Sequence, residues 1–172
     1  MGKLSKIFLT LALVFTAAFG AWGITRMVKS YQFDNNCAVY IDRAANASSV
    51  EMAKEELGKA IKYAEDNNLT SGIVSIFLKR PQNDIGYWYK NMKTAYEELE
   101  NLAEDATPLE KTNVLMKLRE SLTDNSYVIC PEGISIYPNN VAYFWWGIIS
   151  GLGGLALWIT FRVVLSYEDW WY

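Results

Sequence analysis

A chain of 172 residues carrying 16 basic and 19 acidic side chains, net −3, has room for one domain of ordinary size and short extras. It contains no histidine, which removes Ser-His-Asp triads, Cys-His pairs, histidine-containing zinc sites and Glu-x-x-His di-iron bundles together. Between Ser30 and Asn140 lie 17 acidic and 11 basic residues, net −6, a sign that opposes a nucleic-acid footprint and adsorption to anionic lipid alike.

Mean hydropathy is close to zero, but the average hides a segregation. Residues 7–24 (IFLTLALVFTAAFGAWGI) and 141–161 (VAYFWWGIISGLGGLALWITF) hold no charge. The chain opens MGKLSK and turns apolar at Ile7. A basic start and an apolar run suit a signal peptide, with Ala18-Phe19-Gly20 as a cleavage site, yet the run outlasts a usual signal core. The sequence therefore predicts a retained transmembrane helix over 7–28, after a short cytoplasmic stretch at 1–6. Ala12, Thr16 and Gly20 recur at four-residue intervals along it, a small-residue face suited to helix packing.

The middle segment, 30–140, reads as a small antiparallel helical bundle outside the membrane. Val50, Ala53, Leu57, Ala60, Ile61 and Ala64 form an apolar stripe at helical spacing, predicting a helix from Ser49 to Asp66. Gly72 to Arg80 (GIVSIFLKR) is apolar and rich in β-branched residues, so helix and strand both fit; a short helix is expected between helical neighbours. A long helix follows from a cap at Asn83 or Asp84 to about Asp105, with Ile85, Trp88, Tyr89, Met92, Tyr96, Leu99 and Ala103 inward. Trp88, Tyr89 and Tyr96 suggest either a ligand cage or core, and core is the commoner meaning of aromatics at this spacing. Glu97, Glu98, Glu100 and Glu104 suggest a solvated acidic face more than a cation site, since no turn gathers them with carbonyls.

Thr107-Pro108-Leu109-Glu110 places threonine at N-cap, proline at N1 and glutamate at N3, predicting a helix from Pro108 to about Leu122. Tyr127 to Tyr137 alternates enough for short extended pieces, with a turn at Pro131-Glu132-Gly133. Asn46-Ala47-Ser48 and Asn68-Leu69-Thr70 fit the glycosylation triplet, which carries meaning only in a eukaryotic host.

The second membrane helix is predicted over 141–165, before a cytoplasmic aromatic tail at 166–172. Tyr143, Trp145 and Trp146 crowd its start and Tyr167, Trp170 and Trp171 follow its end, as expected of residues that prefer the headgroup level. From Trp146 to Tyr167 a helix rises roughly 31 Å, matching a hydrocarbon core about 30 Å thick. Gly147, Gly151 and Gly154 share one face and are expected to pack against a helix.

Two spans put both termini on one side. Lys3, Lys6 and Arg162 favour the cytoplasm for them; Arg26 and Lys29 oppose. Cys37 and Cys130 stand near the two ends of the middle segment, and a bond between them is expected, worth up to about 4–5 kcal/mol, less any strain, in the chain-entropy account. Such a bond persists in an oxidising compartment, which places 30–140 in the periplasm of a bacterial inner membrane.

The fold expectation is thus an all-α membrane protein, two transmembrane helices flanking a small antiparallel helical bundle. No catalytic signature, Gly-rich loop, Cys-x-x-Cys or Ser-x-x-Lys is present. No cofactor, small-molecule substrate or nucleic acid is expected, and the partners expected are other membrane proteins, a second copy of the chain, and the bilayer. That favours a non-catalytic subunit of a larger membrane complex. An extracytoplasmic sensor signalling through a partner, and a phage-type membrane regulator of the holin-associated kind, are the alternatives.

Overall fold

The computed structural model describes residues 2–74, 80–103, 105–125, 127–131, 133 and 141–170. Six α-helices are described: α1 Lys3–Phe33, α2 Val39–Ala45, α3 Val50–Asp66, α4 Ile85–Glu100, α5 Pro108–Leu122 and α6 Val141–Trp170. A pair of two-residue strands, β1 Thr123–Asp124 and β2 Tyr127–Val128, makes an antiparallel hairpin with Thr123 opposite Val128. The chain divides into two compact units, Met1–Val28 with Val141–Tyr172, and Lys29–Asn140. Two helices, within Lys3–Ala45 and Val141–Glu168, are long and apolar enough to cross a membrane.

In the Lys29–Asn140 unit, core-facing positions follow helical spacing. On α4 they are Ile85, Trp88, Met92, Ala95 and Leu99; on α3 they are Ala53, Leu57, Ala60, Ile61 and Ala64. The alanines let α2 and α4 approach α3, and Gly58 leaves room for the Tyr96 ring, which would lie 3.4 Å from an added side-chain carbon. The helix end at Asn67–Leu69 is set locally. Asn68 takes a left-handed φ of 56°, and Leu69 and Asn68 donate to the Ala64 and Glu65 carbonyls at 2.7 and 3.1 Å. Leu69 is buried, so the turn carries the apolar contact typical of this helix end.

Three expectations change. The first helix does not stop near residue 28 but runs to Phe33, then through a π-helical turn at Asp34–Ala38 into α2. Phe33, Cys37, Ile41 and Ala44 are buried at intervals of three and four, a stripe legible in the sequence. The short helix expected over 72–80 is not seen in its described part. Ile73 bridges Asp84 in antiparallel fashion and Arg80 is extended, while residues 75–79 lie outside the described residues. The α4 helix ends at Glu100 rather than near Asp105. Of the extended pieces expected over 127–137, Tyr127–Val128 is present, Gly133 has the positive φ of 80° that a turn there requires, and 134–140 lie outside the described residues.

The capping box is complete. Thr107 Oγ1 accepts from the Glu110 amide at 3.3 Å, and the Glu110 carboxylate accepts from the Thr107 amide at 2.7 Å. These contacts hold the Glu110 carboxyl below its usual range, so its contribution is present at neutral pH and lost as pH falls through that lowered value. Replacing Thr107 by Ala is expected to cost about 1 kcal/mol, read as a lower denaturation midpoint at pH 7. An unchanged midpoint would remove the box from the account of α5.

Candidate functional site

The first candidate is the contact between α1 and α6 inside the terminal unit. A side-chain carbon on Gly147 would lie 2.6 Å from the Trp22 ring, on Gly151 3.0 Å from Phe19, and on Gly153 2.7 Å from Phe15. Three aromatic side chains of α1 thus fill the gaps left by three glycines of α6. Polar bonds fix the register. Trp22 Nε1–H donates to the Tyr143 carbonyl at 3.1 Å while the Tyr143 hydroxyl donates to the Trp22 carbonyl, and Trp158 Nε1–H donates to Thr16 Oγ1 at 3.1 Å. Toward the chain ends, Ser5 donates to Glu168 at 2.8 Å, and the Gly2 amide donates to the same carboxylate. Rising residue numbers on α1 meet falling ones on α6, so the two run antiparallel. The buried positions Tyr143, Gly147, Ser150, Gly154 and Phe161 repeat at the four-three-four-seven spacing of a supercoiled pair.

Of the small residues singled out by spacing, Gly147, Gly151 and Gly154 face aromatic or backbone atoms of α1, Ala12 is fully buried and Thr16 accepts the Trp158 bond. Gly20 faces open space. Gly153, which the four-residue pattern passed over, receives Phe15. Among the aromatic residues expected at an interface, Trp145, Trp146 and Tyr167 are exposed, whereas Tyr143 is buried and stacks on Trp22 at 5.4 Å. Trp171 and the side chain of Trp170 lie outside what the structure describes. Beside the glycines runs an almost wholly apolar groove of about 610 Å³, lined in part by Phe19, Leu152, Leu155 and Trp158.

The expected Cys37–Cys130 disulfide is absent: both are free thiols. Each has a different partner. Cys37 is fully buried with its sulfur 3.7 Å from the Ala60 carbonyl, and Cys130 stands against the Trp88 indole. Both join the same core cluster. Burial, with a smaller contribution from neighbouring Cys130, pushes the Cys37 thiol well above its ordinary value; burial, then Asp34, pushes Cys130 up to about 12.

The second candidate is a cleft of about 1030 Å³ in the Lys29–Asn140 unit. One wall is the turn at Pro81–Asn83 and the start of α4, where the Asp84 side chain caps the helix by accepting from the Tyr87 amide at 3.1 Å. Backbone bonds from Val74 to Asn83 at 3.1 Å and from Ile85 to Gly72 at 2.9 Å hold this turn. The opposite wall is the end of α5 and the hairpin, whose turn has Asn125 at φ 47°. Trp88 joins the two walls: its ring lies 6.2 Å from Phe33 in the core, and its Nε1–H donates to the Ile129 carbonyl at 2.9 Å. Tyr87 and Asn91 also line a neighbouring cavity of about 480 Å³ between α4 and α5. The sequence pointed to Trp88 but not to the cleft, because the hairpin that closes it follows from no periodic signal.

Trp88, Tyr89 and Tyr96 form no common cage. Tyr89 donates to Glu65, and burial and that bond push its hydroxyl up to about 12; Tyr96 lies on Gly58 and under Lys54. Glu98 pairs with Lys117 at 2.7 Å and Glu100 with Lys54 at 3.1 Å, while Glu104 lies outside the described residues. Among the described residues no group of His, Cys, Asp or Glu is gathered to hold a metal ion. No known protein family, curated protein or solved structure matches the chain.

Gly147→Leu or Gly151→Leu is expected to force the α1–α6 pair apart at about 1–3 kcal/mol, read as unfolding at lower denaturing-detergent fractions, with Gly20→Leu as the silent control. Equal behaviour of all three would contradict the packing account. The thiols give a second expectation. Unfolded cysteine ionises near 9.0, so stability is full below that pH and falls as pH rises toward the folded value of about 12 for Cys130. Native protein should accordingly resist alkylation at pH 7.5 and label at two sites once unfolded; fast native labelling would sink it.

Proposed function

We propose that the chain is a non-catalytic integral membrane subunit that binds other proteins within a larger membrane complex. In this reading α1 and α6 span the bilayer and flank a small antiparallel helical bundle at 30–140. The observation that carries it is the outer surface of the α1–α6 pair, where Ile24, Leu152 and Leu155 stand 64%, 63% and 60% exposed among many similar side chains. An apolar belt of that extent is stable only against lipid or another protein. The groove beside the glycines offers a partner helix close approach, which is what drives helix association where no hydrophobic drive exists. The lack of histidine supports a binding role over catalysis.

With the thiols free, orientation rests on the flanking charges. Lys3, Lys6 and Arg162 on the terminal side stand in near balance with Arg26 and Lys29 on the other, and we take the small excess as favouring cytoplasmic termini and an extracytoplasmic 30–140. A reporter active only in the cytoplasm, fused after Tyr172, should be active; silence there, with activity when it is inserted near Asn101, would invert the topology. The receptor-like alternative is favoured by one observation, the cleft beside Trp88. For the subunit reading, gentle extraction, sizing and mass spectrometry should recover the chain with a stoichiometric partner. Recovery as a bare monomer would refute it.

A further inference from the structure

The cleft between the Pro81–Asn83 turn, α4 and the hairpin has the size and the chemistry of a ligand site, and this inference stands apart from the subunit reading. Ligand pockets commonly enclose about 300–1,000 Å³, and this one encloses about 1030 Å³. Its lining narrows the ligand class by charge. Arg80 lines it together with two carboxylates, Asp84 and Asp124, so a phosphate or carboxylate ligand meets more repulsion than attraction. A cation fares little better, because one oxygen of Asp84 is already occupied in capping Tyr87 and Arg80 opposes it.

A wholly apolar ligand is disfavoured as well. The amides of Gln82, Asn91 and Asn125 line the space, and an amide that loses water without gaining a partner costs stability. Each amide presents both a donor and an acceptor, with the Asn125 nitrogen also donating to Asp124 Oδ1 at 3.1 Å. Beside them, Tyr87 and Tyr127 expose 63% and 80% of their surface, flat rings with an apolar face and a hydrogen-bonding tip. A ligand that suits neutral amides and open aromatic faces together has many hydroxyls, no charge and an apolar C–H face. We propose that this cleft binds a neutral saccharide, with Tyr87 and Tyr127 stacking on sugar rings and Gln82, Asn91 and Asn125 bonding to hydroxyls.

The Trp88 arrangement suits this role. Its bond to the Ile129 carbonyl ties the hairpin to α4, so the wall carrying Tyr127 is held in place before a ligand arrives, and preorganisation lowers the cost of binding. Trp88 is the single tryptophan between Ser30 and Asn140.

The test uses the full chain in lipid nanodiscs, since alkyl glycoside detergents would compete for the site. An array of neutral di- to tetrasaccharides is screened, and free cellotetraose, chitotetraose and maltotetraose are titrated, with the matching insoluble glycans as a second arm to separate free sugar from polymer. At least one saccharide is expected to bind, and Tyr127→Ala or Tyr87→Ala to weaken it roughly tenfold, the scale of one lost ring contact. Tyr31→Ala, exposed but away from the cleft, should change nothing, and all three variants should melt like the parent. No binding at 10 mM of any saccharide overturns the proposal. So does binding that survives both cleft substitutions, or a random peptide library that binds in a Tyr127-dependent way where no saccharide does. Loss of a protein partner on sizing bears on the subunit reading alone and leaves this result unaffected.

Discussion

At Gly147 a side-chain carbon would come within 2.6 Å of the Trp22 ring, closer than any real carbon tolerates. That steric limit governs how near α1 and α6 approach, and the same kind of limit recurs in the other unit, where Ala53, Ala60, Ala64 and Gly58 on α3 make room for α2 and α4. Large side chains seated in gaps left by small ones are how helices reach the interior density of folded proteins. The two units use this device in different settings. In the terminal unit the outer faces are apolar, and packing together with a few hydrogen bonds joins the pair. In the Lys29–Asn140 unit the outer faces are charged, and burial of the apolar stripes supplies the stabilisation.

The polar bonds between α1 and α6 fall where the setting makes them matter. Trp22 with Tyr143, and Trp158 with Thr16, pair indole and hydroxyl groups along otherwise apolar helices. Each also selects a register, because sliding one helix by a residue would separate donor from acceptor and bring a ring against a larger residue than glycine. The Glu168 carboxylate adds a further constraint near the start of α1, where it accepts from Ser5 and the Gly2 amide. An anion beside the N-terminal amides of a helix is favoured by the aligned peptide dipoles.

How much of this was legible depended on whether the signal was local or shared. The Thr107–Glu110 box, the α3 stripe and the two uncharged runs are local, and each appears where its residues placed it. The glycine face of α6 was visible at four-residue spacing, but the identity of its filling was not, since Phe15, Phe19 and Trp22 look like ordinary apolar residues until α6 lies beside them. Gly153 was missed for the same reason. The helix through Phe33, Cys37 and Ile41 was overlooked because the charged and amide residues DNN interrupt the composition, although the burial period continues across them. The disulfide was inferred from the cysteines' places in the sequence, which bear on nearness in space. Bonding further needs the two sulfurs to face each other, and Cys37 is directed at the Ala60 carbonyl instead.

The cleft beside Trp88 is the feature that periodicity conceals most completely, because its walls come from a turn, a helix start and a hairpin of two-residue strands. Its chemistry favours holding over reacting. One oxygen of Asp84 is engaged with the Tyr87 amide, and Cys130 keeps its proton far above neutral pH because the site is buried. A nucleophile needs the opposite, a lowered pKa or an adjacent base, and the absence of histidine removes the commonest base. What the cleft retains is hydrogen-bonding amides, open aromatic rings and a wall tied in place by the Trp88–Ile129 bond. Those are the properties of a site whose affinity comes from shape and hydrogen bonding, and they suit the binding role proposed for it.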